Sequence, residues 1–254
     1  MGTKGVAAVD ADGGPPERIV DVPGRPSGLG WLPDGRLLVV SMTDRRLLRL
    51  EEGGLVEHAD LSSLVTHDCN DMVVDARGNA YVGNAGFDLS ARPLEVKPAQ
   101  LVLVRPDGQA TLVDDQVLFP NGSVVADAGR TLIVAETFGH RLTAFDIAVD
   151  GTLSGRRSWA ELPDRSPDGT CLDVEGAIWV ADASSSTCLR VREGGEVLDE
   201  VIVGPQHAFA CALGGRDGTT LFVCAADGFT GTAMRARSAQ IVAIEVDVPG
   251  AGSP

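Results

Sequence analysis

Four residues with oxygen-bearing side chains recur at one point of a repeated phrase in this chain. Ser27, Asn70, Asn121 and Asp168 each stand eight residues before a glycine, in "PSGLGWLPDG", "CNDMVVDARG", "PNGSVVADAG" and "SPDGTCLDVEG". Hydroxyl, amide and carboxylate oxygens are ligands for hard cations such as Ca²⁺, Mg²⁺ and Mn²⁺, and they differ from the Cys and His ligands of structural zinc sites. The phrase therefore predicts a ligand site assembled from several repeats.

The repeat that carries these residues has the length of a β-propeller blade. Its turn glycines are spaced by 43, 51, 47 and 42 residues and are Gly35, Gly78, Gly129, Gly176 and Gly218. Each glycine follows one short strand pattern and precedes an apolar strand such as "RLLVVSM" or "RTLIVAET"; third and fourth strands follow. Four antiparallel strands every ~40–50 residues are typical of a propeller blade. An irregular two-sheet sandwich would explain the strands but not the recurring phrase.

The repeats predict an all-β fold, a single β-propeller domain over residues 1–254 of the six-bladed type. Five nearly complete blades begin near residues 27, 70, 121, 168 and 210, and residues 1–22 are interpreted as the remnant of a first blade, a half-blade. Because an open ring leaves unpaired strand edges, two arrangements are considered. Either the half-blade pairs with "SAQIVAIEVD" near the carboxyl end, or the chain lacks about one hairpin at its start.

In a propeller, equivalent positions of successive innermost strands meet around the central channel. The four residues of the phrase are therefore expected to converge at one mouth of the channel, whereas the fifth repeat has Ala210 there. A second group is expected just outside them, at the ends of the second strands and at the last blade: Ser41, Asn84, Glu136, Asp182 and His207. Polar side chains at such strand ends also bond local backbone in turns. Segments 84–99 and 226–239 are expected to cover the site.

Composition and motifs exclude several classes of function. The net charge of −15 argues against binding to nucleic acid or to anionic membranes. The five cysteines are scattered without a CxxC spacing, and no apolar run could cross a bilayer, so a cytoplasmic protein is expected. The chain lacks a GxSxG elbow, a phosphate-binding GxxxxGK[ST] loop and a GxGxxG motif. The oligomeric state is left open.

The same phrases resemble the family of senescence marker protein (regucalcin), gluconolactonase and luciferin-regenerating enzyme. The segments that carry the resemblance cover nearly the whole chain in the family's order; they include "FPNGSVVADAGRTLIVAETFGHRLTAFD", "PDGTCLDVEGAIWVAD" and "FACALGGRDGTTLFVCAAD". The resemblance implies a six-bladed propeller with one divalent cation in its channel and hydrolysis of sugar lactones by several members. Ca²⁺ is the expected cation, with Mn²⁺, Mg²⁺ and Zn²⁺ as alternatives.

Carried over by position, the resemblance implies roles for four residues. Asn121 and Asp168 become metal ligands, and Asp168 also becomes the catalytic base that activates water. Asn70 and Asp71 take the substrate-binding position. The family's first blade opens with a Glu-Gly-Pro motif whose Glu is a third metal ligand, and this chain has no such motif. Glu136 is considered as its replacement.

Three functions are weighed on this basis. The first is a metal-dependent hydrolase that opens a lactone or related cyclic ester, a small molecule that the net charge of −15 favours in a neutral form. The second is a propeller that binds a small molecule or protein without catalysis. The third is a condensation enzyme on a scaffold like that of strictosidine synthase. The carboxylate of Asp168 beside Asn121 favours hydrolysis, because a binding module has little use for a carboxylate on the axis.

Overall fold

A computed structural model describes residues 4–228 and 238–252 of the 254-residue chain. The described part of the chain contains antiparallel strands in six sheets. A two-stranded sheet comes first, with β1 (Gly5–Ala8) and β2 (Glu17–Asp21). Sheet A contains β3 (Pro26–Trp31), β4 (Leu37–Ser41), β5 (Arg46–Glu51) and β6 (Gly54–Asp60). Sheet B contains β7 (Cys69–Val74), β8 (Ala80–Asn84), β9 (Ala99–Val104) and β10 (Ala110–Val117).

Three further sheets follow along the chain. Sheet C contains β11 (Pro120–Ala126), β12 (Thr131–Glu136), β13 (Arg141–Ile147) and β14 (Leu153–Glu161). Sheet D contains β15 (Pro167–Leu172), β16 (Ile178–Asp182), β17 (Thr187–Val191) and β18 (Val197–Ile202). Sheet E contains β19 (His207–Gly214), β20 (Thr220–Ala226) and β21 (Gln240–Glu245).

Sheets A to E are the five predicted blades. In each of them the strands pair in chain order, which is the antiparallel meander of a propeller blade. The fold is therefore all-β, with five blades of the β-propeller type. In sheet E the described residues supply three strands, and most of the predicted covering segment 226–239 lies outside the described residues. The strands predicted for residues 5–22 are present as β1 and β2, which pair with each other; their membership of a sixth blade stays a prediction.

Burial follows the position of a strand within its sheet. The second strands β4, β8 and β16 are buried at every residue, as is β12, and their sequences are correspondingly continuous apolar runs ending in a polar residue. The fourth strands are largely exposed, as in β18. The polar residue at the end of each second strand is thus placed in a buried position and needs hydrogen-bond partners.

The turn between the first and second strands depends on glycine. The five turn glycines of the repeat, Gly35, Gly78, Gly129, Gly176 and Gly218, have φ values of 85°, 83°, 86°, 80° and 74°. Side chains disfavour this left-handed conformation, which glycine adopts freely. The recurring glycine is therefore explained by the geometry of the turn. The turn does not require any particular side chain eight positions earlier.

Contacts divide the chain into two compact units. The first unit comprises Met1–Pro120 with Asp150–Thr152, and the second comprises Asn121–Val149 with Leu153–Pro254. A core of aliphatic side chains from sheets A and B, including Leu38, Leu47 and Val102, fills the first unit. The second unit has one core around Trp159 and Ile178 and another around Trp179 and Leu221. The prediction of a single domain stays a prediction.

Among residues 4–228 and 238–252, no helix has the length and apolar character required to cross a bilayer.

Candidate functional site

The repeated phrase forms a β-bulge in the first strand of at least three sheets. In sheet A, Pro26 pairs with Ser41 and Leu29 pairs with Val39, so β3 has one residue more than β4 over this stretch. Asn70 lies in the same irregularity of β7, and Asp168 in that of β15. A bulge changes the direction in which a side chain points and often lies beside a functional site. The repeated spacing therefore places one polar side chain in the bulge of the first strand in each of these sheets.

Glycines next to these positions let consecutive first strands approach closely. A Cβ added at Gly28 would lie 2.6 Å from the amide nitrogen of Met72 in β7. One added at Gly122 would lie 2.6 Å from the carbonyl oxygen of Asp168, and one at Gly169 would lie 2.6 Å from the Cα atom of Ala210. These approaches place β3 beside β7 in the first unit, and β11, β15 and β19 side by side in the second.

In the first unit the structure brings Ser27, Asn70 and Asp71 together. The Ser27 hydroxyl donates to Asn70 Oδ1 at 3.2 Å, and Asn70 Nδ2 lies 3.5 Å from the carbonyl oxygen of Pro120. Burial raises the pKa of Asp71 to about 6, an effect that a hydrogen bond with Ser27 partly offsets. A carboxyl group with this pKa changes charge close to neutral pH, which suits a group that handles protons or binds a polar ligand.

In the second unit the structure links Asn121 to the strand that carries Asp168. Asn121 is 5% exposed, and its Nδ2 donates to Thr137 Oγ1 at 3.1 Å. The Thr137 hydroxyl in turn donates to the carbonyl oxygen of Pro167 at 2.7 Å. Asp168 follows Pro167 directly and is half-buried. A short chain of hydrogen bonds therefore ties Asn121 to the residue that precedes Asp168, the other predicted metal ligand.

Thr137 was not among the residues that the sequence pattern predicted. It stands one residue after the second strand, where the preceding repeats have Met42 and Ala85 and the following one has Ala183. A hydroxyl at a position that is otherwise apolar in neighbouring repeats is the signal that could have identified it.

The ends of the second strands in sheets A and B use their polar atoms locally. Ser41 Oγ accepts a hydrogen bond from the amide of Gly24 at 3.0 Å. Asn84 donates from Nδ2 to the carbonyl oxygen of Gln100 at 2.7 Å and accepts from the Gly86 amide at 2.8 Å. The Ser41 contact holds the segment that leads into β3, and the Asn84 contacts hold the loop that leaves β8. Both are the local structural use of such residues that the sequence had left open.

Glu136 ends β12 as a fully buried carboxylate that two arginines and a hydroxyl surround. Arg141 donates to both of its oxygens, at 3.0 Å and 3.1 Å, and Arg156 lies 3.4 Å from Oε1. The Thr143 hydroxyl also donates to Oε1. These contacts anchor the chain just before Thr137, and the role of Glu136 as a replacement metal ligand stays a prediction.

Asp182 ends the second strand of sheet D, and His207 begins the first strand of sheet E. Burial alone would raise the pKa of Asp182, but hydrogen bonds from Ser184, Ser166 and Ser185 outweigh it and lower the pKa. His207 lies with its Nδ1 2.9 Å from the carbonyl oxygen of Ala183, and its ring stacks on Phe209 with the ring centroids 6.4 Å apart. Asp182 is therefore an ionised anchor for the loop after β16.

The donor set around Asn121 fits a hard cation better than a soft one. Within the described ranges, no three residues of the types His, Cys, Asp and Glu are grouped closely enough to hold a metal ion. Asn121 and Asp168 offer an amide oxygen and a carboxylate, which are donors that Ca²⁺ and Mg²⁺ accept together with water. Two such donors match a cation that keeps part of its hydration shell or binds substrate oxygens.

The segment at 84–99 borders a cavity of the first unit. The cavity has a volume of about 370 Å³, and His67, Phe87, Asp88 and Arg92 are among the residues that line it. Phe87 lies 6.1 Å from Phe119 between ring centroids, which attaches the start of the segment to the residue before Pro120.

Comparisons with solved structures place this fold among known proteins. A calcium-binding protein, regucalcin, from Agrobacterium tumefaciens superposes with a TM-score of 0.81 and 21% identity, covering 99% of this chain and 86% of that one. A gluconolactonase from Xanthomonas campestris superposes with a TM-score of 0.70 and 23% identity, covering 87% of this chain and 75% of that one. These likenesses confirm the fold.

Sequence comparison identifies the family. Regucalcin from Bos taurus is 30% identical over 164 residues, which are 63% of this chain and 55% of the bovine protein, so the match spans about half of that relative's length. The model of the SMP-30/Gluconolactonase/LRE-like region matches residues 2–227. The resemblance that the repeated phrases predicted is thereby confirmed, and the chain belongs to the SMP-30/Gluconolactonase/LRE-like family.

Proposed function

We propose that this protein is a divalent-metal-dependent hydrolase that opens a lactone, either a sugar lactone or a related cyclic ester. The observation that carries the proposal is the chain of hydrogen bonds from Asn121 through Thr137 to Pro167, because it ties the Asn121 amide to the residue that precedes Asp168. Membership of a family whose description includes gluconolactonase supports the type of reaction.

The proposed reaction divides the work among four residues. A divalent cation held by Asn121 and Asp168 would polarise the lactone carbonyl and lower the pKa of a water molecule. Asp168 accepts the proton of the attacking water as general base. Asn70 and Asp71 hold the hydroxyl groups or ring oxygen of the substrate, a role favoured by their shared bulge and by the raised pKa of Asp71.

Several finer assignments belong to this proposal. Ca²⁺ is the proposed cation, since the oxygen donors suit it and a structural relative is named a calcium-binding protein. Mn²⁺, Mg²⁺ and Zn²⁺ are the alternatives that the assay compares. Strands β1 and β2 are proposed to belong to a sixth blade. A cytoplasmic location is proposed because all five cysteines are free.

The test measures acid release, because hydrolysis of a neutral lactone yields a carboxylic acid that ionises near neutral pH. A panel of sugar and aliphatic lactones is assayed with a pH-sensitive dye in the presence of Ca²⁺, Mn²⁺, Mg²⁺ or Zn²⁺ and after removal of cations with a chelator. We expect turnover that depends on the cation and that falls at least ~100-fold in Asp168→Asn, since the variant lacks the base.

Asp164→Asn is the matched control, because Asp164 is an exposed aspartate four residues away in the segment that leads into β15. It is expected to retain the wild-type rate, and thermal unfolding checks that both variants are folded. A folded wild-type protein that opens none of the lactones would contradict hydrolysis and favour a binding function. Turnover that survives both cation removal and Asp168→Asn would contradict the proposed mechanism.

A further inference from the structure

The hydroxyl of Thr137 has two neighbours whose chemistry decides the direction of both hydrogen bonds. Its oxygen lies 2.7 Å from the carbonyl oxygen of Pro167 and 3.1 Å from the side-chain amide of Asn121. A carbonyl oxygen can only accept, so the single Thr137 proton must be donated to Pro167. The oxygen lone pairs then remain for Asn121, which has to approach with a donor.

This logic determines how the Asn121 amide is oriented. An asparagine amide has an NH₂ group on one side and an oxygen on the other, and the two orientations occupy the same space. Because only the NH₂ group can satisfy Thr137, Oδ1 is directed to the opposite side. A cation requires that oxygen and is repelled by the NH₂ group, so the orientation determines whether Asn121 can serve as a ligand.

We infer that Thr137 is a positioning residue that sets the orientation of the Asn121 amide and ties it to the strand of Asp168, and so determines cation affinity. The inference rests on the proposed function, because it assigns Asn121 to a cation. The residue before Thr137 restrains its backbone, because Glu136 is held by hydrogen bonds from Arg141, Arg156 and Thr143. Gly139 packs against Glu136. A Cβ atom added at Gly139 would lie 2.8 Å from the Cβ atom of Glu136, so the turn after β12 can be this tight only with glycine.

Two substitutions separate the hydroxyl from the shape of the side chain. Thr137→Val keeps the branched shape but removes the hydroxyl, which leaves the Pro167 carbonyl without this donor and lets the Asn121 amide turn. Thr137→Ser keeps the hydroxyl and removes one methyl group. We expect Ca²⁺ affinity, measured by isothermal titration calorimetry on the full chain, to fall about 10–100-fold in Thr137→Val, the range typical for partners that orient metal ligands. Thr137→Ser should stay within about threefold of wild type by the same reasoning.

A second measurement needs neither cation nor substrate. In ¹⁵N-labelled protein, the side-chain NH₂ signals of Asn121, assigned by their loss in Asn121→Asp, report the hydrogen bond to Thr137. These signals should be slow in hydrogen exchange in wild type and Thr137→Ser and fast in Thr137→Val.

The outcomes distinguish the inference from the function on which it rests. Weaker Ca²⁺ binding together with faster NH₂ exchange in Thr137→Val supports the inference. Unchanged Ca²⁺ affinity in a folded Thr137→Val protein overturns it and leaves the proposed hydrolase intact. If the wild-type protein binds none of the four cations, the proposed function fails, and the inference fails with it.

Discussion

A half-buried carboxyl group in the bulge of β7 has a pKa well above its ordinary value. Asp71 adjoins Asn70 and interacts with Ser27, and burial raises its pKa from 3.8 to about 6. In the unfolded chain the group regains its ordinary pKa. Between the two values the folded protein holds a proton that the unfolded chain releases, so folding is favoured less as the pH rises through this window.

The gain in unfolding free energy from replacing Asp71 by asparagine should therefore be larger at neutral pH than at acid pH. The carboxylate of the wild type carries its full burial cost above about pH 6 and none below about pH 4, whereas the amide of Asp71→Asn is neutral throughout. The advantage of the variant in unfolding free energy should grow by up to ~3 kcal/mol across this range. Urea unfolding of both proteins at about pH 4 and about pH 7 measures it.

Asp60→Asn provides a control of opposite sign, since hydrogen bonds from Ser62 lower the pKa of the exposed Asp60. Its effect should be small and should reduce stability at neutral pH. An Asp71→Asn advantage that is the same at both pH values would show that Asp71 is not held protonated by the fold.

At the scale of strands, the close approach of first strands is what sets Asn121 beside Asp168 and Asp168 beside Ala210. The glycine that follows Asn121 or Asp168 makes the approach possible, at Gly122 and Gly169. Both have backbone of the neighbouring strand where a Cβ would lie. Backbone cannot rotate away as a long side chain can, so a substitution must separate two strands.

Gly169→Ala should destabilise the protein by about 1–3 kcal/mol, because the new methyl group would lie 2.6 Å from the Cα atom of Ala210. Gly53→Ala is the matched control, since nothing lies within 4 Å of the added carbon there. It should change the unfolding free energy by less than ~1 kcal/mol. Chemical denaturation compares the two, and equal losses would show that the strands can separate without cost.

The sequence allowed the strands to be predicted more completely than the site. Apolar runs such as "RTLIVAET" and glycines at fixed spacing determine β12 and its turn through local chemistry, so both could be predicted. The environment of Glu136 could not, because Arg156 comes from β14, twenty residues away, and only folding brings it near. The partner of Thr137 could not be predicted for the same reason, since Pro167 lies thirty residues further along the chain.

At the scale of the whole chain, acidity is the dominant property. Acidic residues exceed basic ones to give a net charge of −15, with a calculated isoelectric point near 4.6. A strongly negative protein repels anions over distances of about a Debye length, roughly 10 Å at 0.1 M salt. The charge therefore bears on which lactones reach the proposed site.

A neutral lactone should be a better substrate than one that carries a carboxylate or phosphate group. For the anionic lactone, kcat/KM should rise several-fold between about 20 mM and about 200 mM salt as the repulsion is screened. For the neutral lactone it should change little, which serves as the internal control. Steady-state assays at constant Ca²⁺ concentration measure both, and an anionic substrate that slows with added salt would indicate a locally positive site.

The bulges have a consequence for how such proteins can diversify. Three of the four residues of the repeated phrase, Ser27, Asn121 and Asp168, have a proline before them and a glycine after them, which constrain the backbone around the side chain. The presented side chain itself is not required for that geometry, as alanine at position 210 illustrates. A single codon change at any of these points can therefore exchange one functional group for another while the scaffold stays as it is. A new binding specificity can therefore arise by substitution at these positions without a change of fold.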